Sequence, residues 1–485
     1  MCLRLLPERC VLCASVKTTS ANPPQLPKVA LELGQLFSAA GFEIALVGGW
    51  VRDAILGRNG ADLDFTTDAR PEQILGVIAD WAETTWDVGA RFGTIGAVRH
   101  GEKVEITTFR SDAYQADSRK PDVQFGQSLE EDLIRRDFTI NAMALRLPAA
   151  ELVDPFGGLN DIAAAQIRTP SDPEISFSDD PLRMMRAARF AAQLNFKINA
   201  DVFTAMTEMA NRIEIISAER VRDELTKLML SPSPRIGLEI LVDAGIAALV
   251  LPELPALKLE IDEHHHHKDV YQHTLTVIDQ AIELETSHTP TLEPNLVLRM
   301  AALMHDIGKP KTRKFEAGGG VSFHHHEVVG AKLTKKRLTA LRFSNEEIDQ
   351  ISKLVELHLR FHGYAGGEWT DSAVRRYVRD AGELLVHLHK LTRADSTTRN
   401  RRKAETLRRN YDSLELRIGQ LQEAEELAAI RPDLDGAEIM ETLGIKPGPE
   451  VGKAYKFLME LRLDEGPKTK SEAKSALLAW WHTQN

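Results

Sequence analysis

Between residues 27 and 170 the spacing of apolar positions changes several times along the chain. In VALELGQLFSAAG they recur at helical spacing, whereas EIALVGG, DLDFTT, IGAVRH and KVEITTF are rich in β-branched residues and alternate over short runs. This pattern predicts an α/β region, a small mixed sheet with helices. After DPFGGLNDIAAAQIRTP the strand signals nearly vanish. From 180 to 485 apolar residues recur at helical spacing, as in PLRMMRAARFAAQLNF and LVLRMAALMHDIG, so the remainder is expected to be all-helical. Breaks fall at the SPSPR turn of 231–235, at LPELPAL, at the glycine run 318–320 and at GIKPGP near 444–449. No internal repeat interrupts this order.

At 485 residues the chain exceeds what one hydrophobic core serves, so two to four domains are expected. Hydrophobic residues at 43% and charged residues at 27% are those of an ordinary globular protein. No apolar run approaches the roughly 20 residues of a membrane span, and the leader lacks the pattern of a secretory signal, so a cytoplasmic protein with no membrane partner is expected. Cys2, Cys10 and Cys13 are the only cysteines and sit together in that leader, which is read as a flexible extension. Cys10 and Cys13 form a CxxC without a second ligand pair, and a reduced compartment is implied.

The net charge of −11 argues mildly against nucleic-acid binding, which needs Lys and Arg to meet phosphates. Local clusters qualify that: Arg135-Arg136, Arg183 with Arg186 and Arg189, Lys335-Lys336-Arg337, and Arg399, Arg401, Arg402 and Lys403 with Arg408-Arg409. Each alone reads as a solvated helix face.

Three short elements carry chemistry. In LVGGWVRD a strand runs into Gly48-Gly49 and then a helix, a turn that lets backbone amides approach an anion, although a plain tight turn has the same spelling. Asp62 and Asp64 in DLDFTT stand i, i+2 on a strand, so both carboxylates share a face and suit one or two hard cations such as Mg²⁺. A solvent-facing pair on an edge strand is the alternative. In Arg135-Arg136-Asp137-Phe138-Thr139-Ile140-Asn141, two guanidiniums can clamp phosphate oxygens, while Asp137 and Asn141 can meet ribose hydroxyls or organise the arginines.

These elements, in this order, resemble the nucleotidyltransferase superfamily in its bacterial CCA-adding branch. The likeness continues through DPFGG at 154–158, DDPLRMMRAARF at 179–190 and AERVRDEL at 218–225, and spans about 27 to 465. The resemblance implies that Asp62 and Asp64 carry the catalytic Mg²⁺, with Glu105 as a third acid. It implies that Gly48, Gly49 and Arg52 hold triphosphate and that Asp53 supports their loop. Arg135, Arg136, Asp137 and Asn141 then complete the nucleotide site. It assigns base choice to Asp180 and Arg183, which imitate a Watson–Crick partner, and groups Arg186 and Arg189 with them in nucleotide binding. Asp180 before Pro181 also reads as a helix N-cap. The family's usual Glu-Asp opening is Asp179-Asp180 here. The implied activity is template-independent addition of CCA to tRNA 3′ ends from CTP and ATP, so tRNA, CTP and ATP are the expected partners. Poly(A) polymerases and CC-adding enzymes share the metal pair and are the nearest alternatives. ARFGTIGAV and the segment 109–125 favour the CCA-adding form.

Farther on, His273 in DVYQHTL, His305-Asp306 in LMHDIGKP and Asp395 in LTRADS offer imidazole and carboxylate ligands from separate helices, suited to a divalent metal. Their order resembles the HD phosphohydrolase superfamily, in whose two-metal members His326 and His358 would add ligands. The run His264–His267 is expected to be a polar loop. GIKPGPEVGKAYKFL places Gly448-Pro449 at a helix start, where amides could hold an RNA phosphate, or make a simple turn. The expected division is a leader at 1–26, a nucleotidyltransferase head at 27–170 and a nucleotide-selecting, RNA-binding neck at 171–260. An HD metal-binding domain at 261–400 and a tRNA-binding helical tail at 401–485 follow. An HD phosphohydrolase with an RNA-positioning head is a second enzyme reading, and a non-catalytic tRNA-binding protein a third. No feature of the sequence sets the oligomeric state.

Overall fold

The structure, a computed structural model, describes residues 26–484 apart from 59–61, 88, 114–121, 127, 259–268, 317–320, 362–368, 397–400 and 426–430. The leader cysteines, His264–His267, the glycine run 318–320, Arg399 and the centre of the 109–125 segment lie outside the described residues. Two compact units result, one reaching Ser217 and taking in Ile236–Ile246, the other made of Ala218–Arg235 and the chain from Ala247 onward.

In the first unit, α1 (Lys28–Ala39) precedes β1 (Ile44–Val47), α2 (Gly49–Ile55), β2 (Leu63–Thr67), α3 (Pro71–Ile78), β3 (Thr84–Trp86), β4 (Thr94–Arg99) and β5 (Glu102–Thr108). A hairpin of β6 (Arg110–Ala113) and β7 (Asp122–Phe125) leads to α4 (Leu129–Ile134), then β8 (Ala144–Leu147) and β9 (Glu151–Val153). Seven strands form one sheet in the order β3-β4-β5-β2-β1-β8-β9, with β2 parallel to β5 and the other neighbours antiparallel. All four residues of β1 are buried, which explains why IALV shows no alternation: a strand covered on both faces reads as a continuous apolar run. Val29, Leu33 and Phe37 of α1 are fully buried. Gly34 lets that helix come close, since a Cβ there would lie 2.8 Å from the Cβ of Leu147.

The helices α5 (Gly158–Ala163), α6 (Pro173–Asp179), α7 (Leu182–Leu194) and α8 (Ala200–Glu208) follow, with β10 (Gln166–Ile167) parallel to β11 (Lys197–Ile198). The chain then runs through α9 (Ala218–Met229), α10 (Pro234–Asp243) and α11 (Ala247–Val250).

In the second unit, α12 (Val270–Ser287), α13 (Leu296–Met304), α14 (Lys309–Thr312), α15 (His326–Ala340), α16 (Asn345–Leu357), α17 (Asp371–Ala381) and α18 (Leu385–Asp395) form a bundle in which α12, α16 and α18 each pack on α13. Arg299 of α13 and Glu285 of α12, each 3% exposed, form a buried two-point ion pair, and Arg299 also donates to the carbonyls of Met229 and Ser231 at 2.8 Å. The long α19 (Arg401–Glu425) packs on α17 and α18. Last come α20 (Gly436–Leu443), α21 (Pro449–Glu465) and α22 (Lys470–His482), with their own core of Ile439, Ala454, Leu458 and Leu477. Among the described residues no helix is long and apolar enough to cross a membrane.

Among the described residues, the stretch beyond 180 departs from all-helical in two places. Asn195 ends α7 in the left-handed region and turns the chain so that β11 lies beside β10. The short β12 (Lys314–Phe315) pairs antiparallel with β13 (Val321–Ser322) on either side of the glycine run. Two-residue ladders are too short to show a period of two in the sequence.

Candidate functional site

The sheet of the first unit converges on a cleft of about 350 Å³. At the end of β1 the chain turns at Gly48, φ 73° and ψ −133°, into the first turn of α2. A Cβ at Gly48 would lie 3.2 Å from Arg136 Nη1 and 3.9 Å from Asp64 Oδ2, so glycine is needed both for the backbone angle and for the closeness of base and acid. Register places Asp64 beside Val47 on one side and Glu105 on the other. Asp62 directly precedes β2 rather than lying within it, yet both Asp62 and Asp64 line the cleft. Burial of the Asp64 carboxyl pushes it up to about 6, with repulsion from Glu105 and Asp62 adding to the effect and Arg136 opposing it. A bound divalent cation would reverse that balance, so these acids fit a metal.

The other walls are Gly49, Arg52 and Asp53 of α2, Arg136, Asp137 and Asn141, and four residues of α7: Arg186, Arg189, Phe190 and Gln193. A continuous polar chain ties them together. Both oxygens of Asp53 accept from Arg52, at 2.8 and 2.9 Å, and Arg52 Nη1 donates to Asn141 Oδ1 at 2.7 Å. Asn141 Nδ2 donates to Asp137 at 3.0 Å, and Arg186 donates to the other Asp137 oxygen at 2.8 and 2.5 Å. Burial alone would raise the Asp137 carboxyl, but the Arg186 guanidinium and the Asn141 bond outweigh it and hold it well below the usual carboxylate range. Asp137 and Asn141 thus organise arginines.

Asp132, which sequence reasoning missed, is fully buried in α4 and accepts from Arg135 at 2.6 Å and Arg136 at 3.1 Å. Burial raises its carboxyl, the two arginines lower it more, and the net direction is down. Phe190 and Gln193 were also missed, although 186, 189, 190 and 193 have the i, i+3, i+4, i+7 spacing of one helix stripe.

Glu105, Arg135, Asp180 and Arg183 do not line the cleft. Glu105 stands exposed next to Asp64. Asp180 Oδ1 accepts from the Leu182 amide at 3.2 Å, a capping bond. Arg183 is buried, donating to Ser176 Oγ at 2.9 Å and to the Arg135 carbonyl at 2.5 Å.

A second cluster forms in the other unit, where His273, His305, Asp306, His326, His358 and Asp395 come together. His305 Nε2 stands 3.4 Å from His273 Nε2 and 3.2 Å from Asp306 Oδ2, and His273 Nε2 lies 2.9 Å from Asp395 Oδ1. Two groups of three, His273, His305 and Asp306, and Asp306, His326 and His358, have ligand atoms close enough to hold an ion. In His305, His326 and His358 the Nδ1 meets the carbonyl three residues earlier, at 2.8, 2.8 and 2.6 Å, which turns Nε2 inward. This is the outer-shell bond that orients a metal-ligating imidazole. His358 Nε2 is buried without a hydrogen-bond partner, and His326 Nε2 and Asp306 Oδ1 stand 3.3 Å apart without hydrogen-bond geometry. Such orphaned lone pairs fit a cation. Burial, together with repulsion from His305, brings His358 down to about 4.

Three family models match the chain in succession: Poly A polymerase head domain over residues 44–168, "Probable RNA and SrmB-binding site of polymerase A" over 195–257, and HD domain over 270–400. The A-adding tRNA nucleotidyltransferase of Deinococcus radiodurans is 34% identical over 442 residues, covering 90% of this chain and 95% of the relative. The CCA-adding enzyme of Streptococcus thermophilus is 31% identical over 436 residues, covering 90% and 92%. Among solved structures, the Bacillus stearothermophilus CCA-adding enzyme in complex with CTP superposes with a TM-score of 0.65 at 26% identity, over 96% of this chain and 99% of that one. Both nucleotidyltransferase and HD families are metal-dependent. By its likeness to the full length of such relatives, the chain belongs to the tRNA nucleotidyltransferase family, with an HD domain behind its polymerase head.

Proposed function

We propose that this enzyme adds CCA to tRNA 3′ ends without a template, from CTP and ATP. The observation that carries the reading is the cleft itself, where an acidic pair faces four guanidiniums and a glycine turn at a helix start. Arg136, Arg186 and Arg189 bind the triphosphate, while Arg52, held by Asp53 and Asn141, supports the loop of Gly48 and Gly49. Asp62 and Asp64, with Glu105 alongside, would hold Mg²⁺, which when bound would supply charge neutralisation at the α-phosphate and acidify the attacking hydroxyl. Base choice falls to Asp180 and Arg183, whose bond to the Arg135 carbonyl links base reading to the phosphate-binding element. Residues 27–170 then act as head, 171–260 as neck, 261–400 as HD domain and 401–485 as a tRNA-holding tail.

The test gives purified protein tRNAs ending before CCA, after C and after CC, with CTP, ATP or both. The reading expects each to be completed to CCA, and expects Asp64→Ala to remove addition while tRNA affinity persists, because RNA affinity comes from many phosphate contacts. Extension of the CC-ended tRNA alone would instead support A-only addition, favoured by the name of the relative matched over 95% of its length. A long A tract would support a poly(A) polymerase.

The HD cluster, in this reading, would hold a divalent transition metal or Mg²⁺, whose chemistry when bound would be to polarise a phosphate ester for attack by water. His273, His305, Asp306 and Asp395 form its core.

A further inference from the structure

We infer that Phe190 is a positioning residue for nucleotide binding: its ring is the common surface against which Arg186 and Arg189 of the triphosphate site and Arg52 of the glycine loop are aligned. The inference rests on the nucleotide reading above and concerns a residue to which that reading gives no part. Phe190 is 4% exposed, yet it lines the cleft. The guanidinium carbons of Arg189, Arg52 and Arg186 stand 4.0, 5.1 and 5.7 Å from its ring centroid. Its ring is fixed in turn by Phe138, edge to face at 5.8 Å and 83°. One ring therefore serves arginines from two helices.

Three like charges gathered at one wall repel one another, and something must hold them there in the absence of ligand. Asp53 and Asp137 pair with Arg52 and Arg186, and Arg189 donates to Gln193 Oε1 at 3.1 Å. A further carboxylate would hold them too, but it would cancel the charge that an anionic ligand must meet. An aromatic ring attracts cations through its quadrupole and carries no net charge, so it aligns the guanidiniums and leaves their charge available. The ligand served is the triphosphate rather than the base, so CTP and ATP should be affected alike.

The experiment uses the full-length protein with Phe190 replaced by 3,4,5-trifluorophenylalanine, which nearly keeps the shape and weakens the ring face, alongside Phe190→Leu and Phe190→Tyr. KM and kcat are measured for CTP and for ATP on tRNA, together with melting temperature. The trifluoro protein and Phe190→Leu should raise KM by roughly five- to tenfold, by similar factors for the two nucleotides, with kcat moving less. Phe190→Tyr should recover most of the affinity lost with leucine, and the trifluoro protein should melt as wild type does. If the trifluoro protein keeps the wild-type KM, the ring is packing only and the inference falls, whether or not the leucine variant folds. A KM change confined to one nucleotide also overturns it, since the ring would then serve a base. Failure of wild type to extend any tRNA overturns the nucleotide reading itself.

Discussion

Gly48→Ala puts the geometry of the cleft to a quantitative test. The residue has φ 73° and ψ −133°, outside the regions that side-chain-bearing residues adopt, so alanine there costs about 1–3 kcal/mol in backbone strain. For a unit of this size a cost of about 2 kcal/mol lowers the melting temperature by about 4–8 °C. The added Cβ would also stand 3.2 Å from Arg136 Nη1, and the guanidinium must yield by a few tenths of an ångström. That shift is cheap in stability but not in function, because Arg136 is tethered on its other side by fully buried Asp132 and would be displaced from the phosphate site. A displacement of this order should lower kcat/KM for CTP by about tenfold or more. Gly57→Ala is the matched control: Gly57 also has positive φ, at 67°, but a Cβ there meets nothing within 4 Å. The assay is calorimetric melting with steady-state CTP incorporation on both variants. Equal activity in Gly48→Ala and Gly57→Ala would refute the claim that Gly48 sets the position of Arg136.

Other outcomes follow from the same contacts. Arg299→Met strands the carboxylate of Glu285 in a buried site and should cost about 3–5 kcal/mol, read as a lowered denaturation midpoint; an unchanged midpoint would mean the pair is solvated. The Asp137 carboxyl is lowered on folding, so its ion pair stabilises above the unfolded pKa of about 4, and that contribution is lost as pH falls through the folded value. Melting temperatures of wild type and Asp137→Asn should therefore differ at pH 6 and converge in the acid range below about pH 4, and a gap constant with pH would show that the charge is not what matters. Asp306→Ala should remove phosphoesterase activity measured with Mn²⁺, Ni²⁺ or Mg²⁺ while tRNA extension survives. Loss of both activities in a folded mutant would break the division into two sites.

Much of the cleft could be read from the chain because its parts are local. Gly48-Gly49 is a strand-to-helix turn, and Asp62 and Asp64 are two residues apart, so sequence spacing carries the geometry. Asp132 was not legible: its value lies in being buried beneath Arg135 and Arg136, and burial of a carboxylate in an acidic stretch such as LEED depends on packing that no local period encodes. Phe190 was half legible, since its stripe with Arg186, Arg189 and Gln193 is a helical pattern, but which face of α7 meets the cleft is set by tertiary contacts. The sequence left Asp180 open between a helix cap and a base reader. Its bond to the Leu182 amide fills the capping role and leaves the other as a proposal. The histidines were visible as an order of motifs, whereas the alignment of three imidazoles by carbonyls three residues earlier needed the helix ends in place.

The two clusters answer opposite electrostatic problems. The head must gather cations for a polyanion, and its acids hold the arginines in place: Asp132 pairs with Arg136, Asp53 with Arg52, and Asp137 bridges Asn141 and Arg186. The helical cluster must gather lone pairs for a cation, so three of its imidazoles, His305, His326 and His358, spend their Nδ1 on backbone carbonyls and turn Nε2 inward, around an aspartate that is 1% exposed. Oxygen ligands alone favour hard cations, and imidazole with carboxylate also accommodates transition metals. The identity of the added metal is therefore a handle on each site separately, since a change that alters hydrolysis at the histidines need not alter the acids of the cleft.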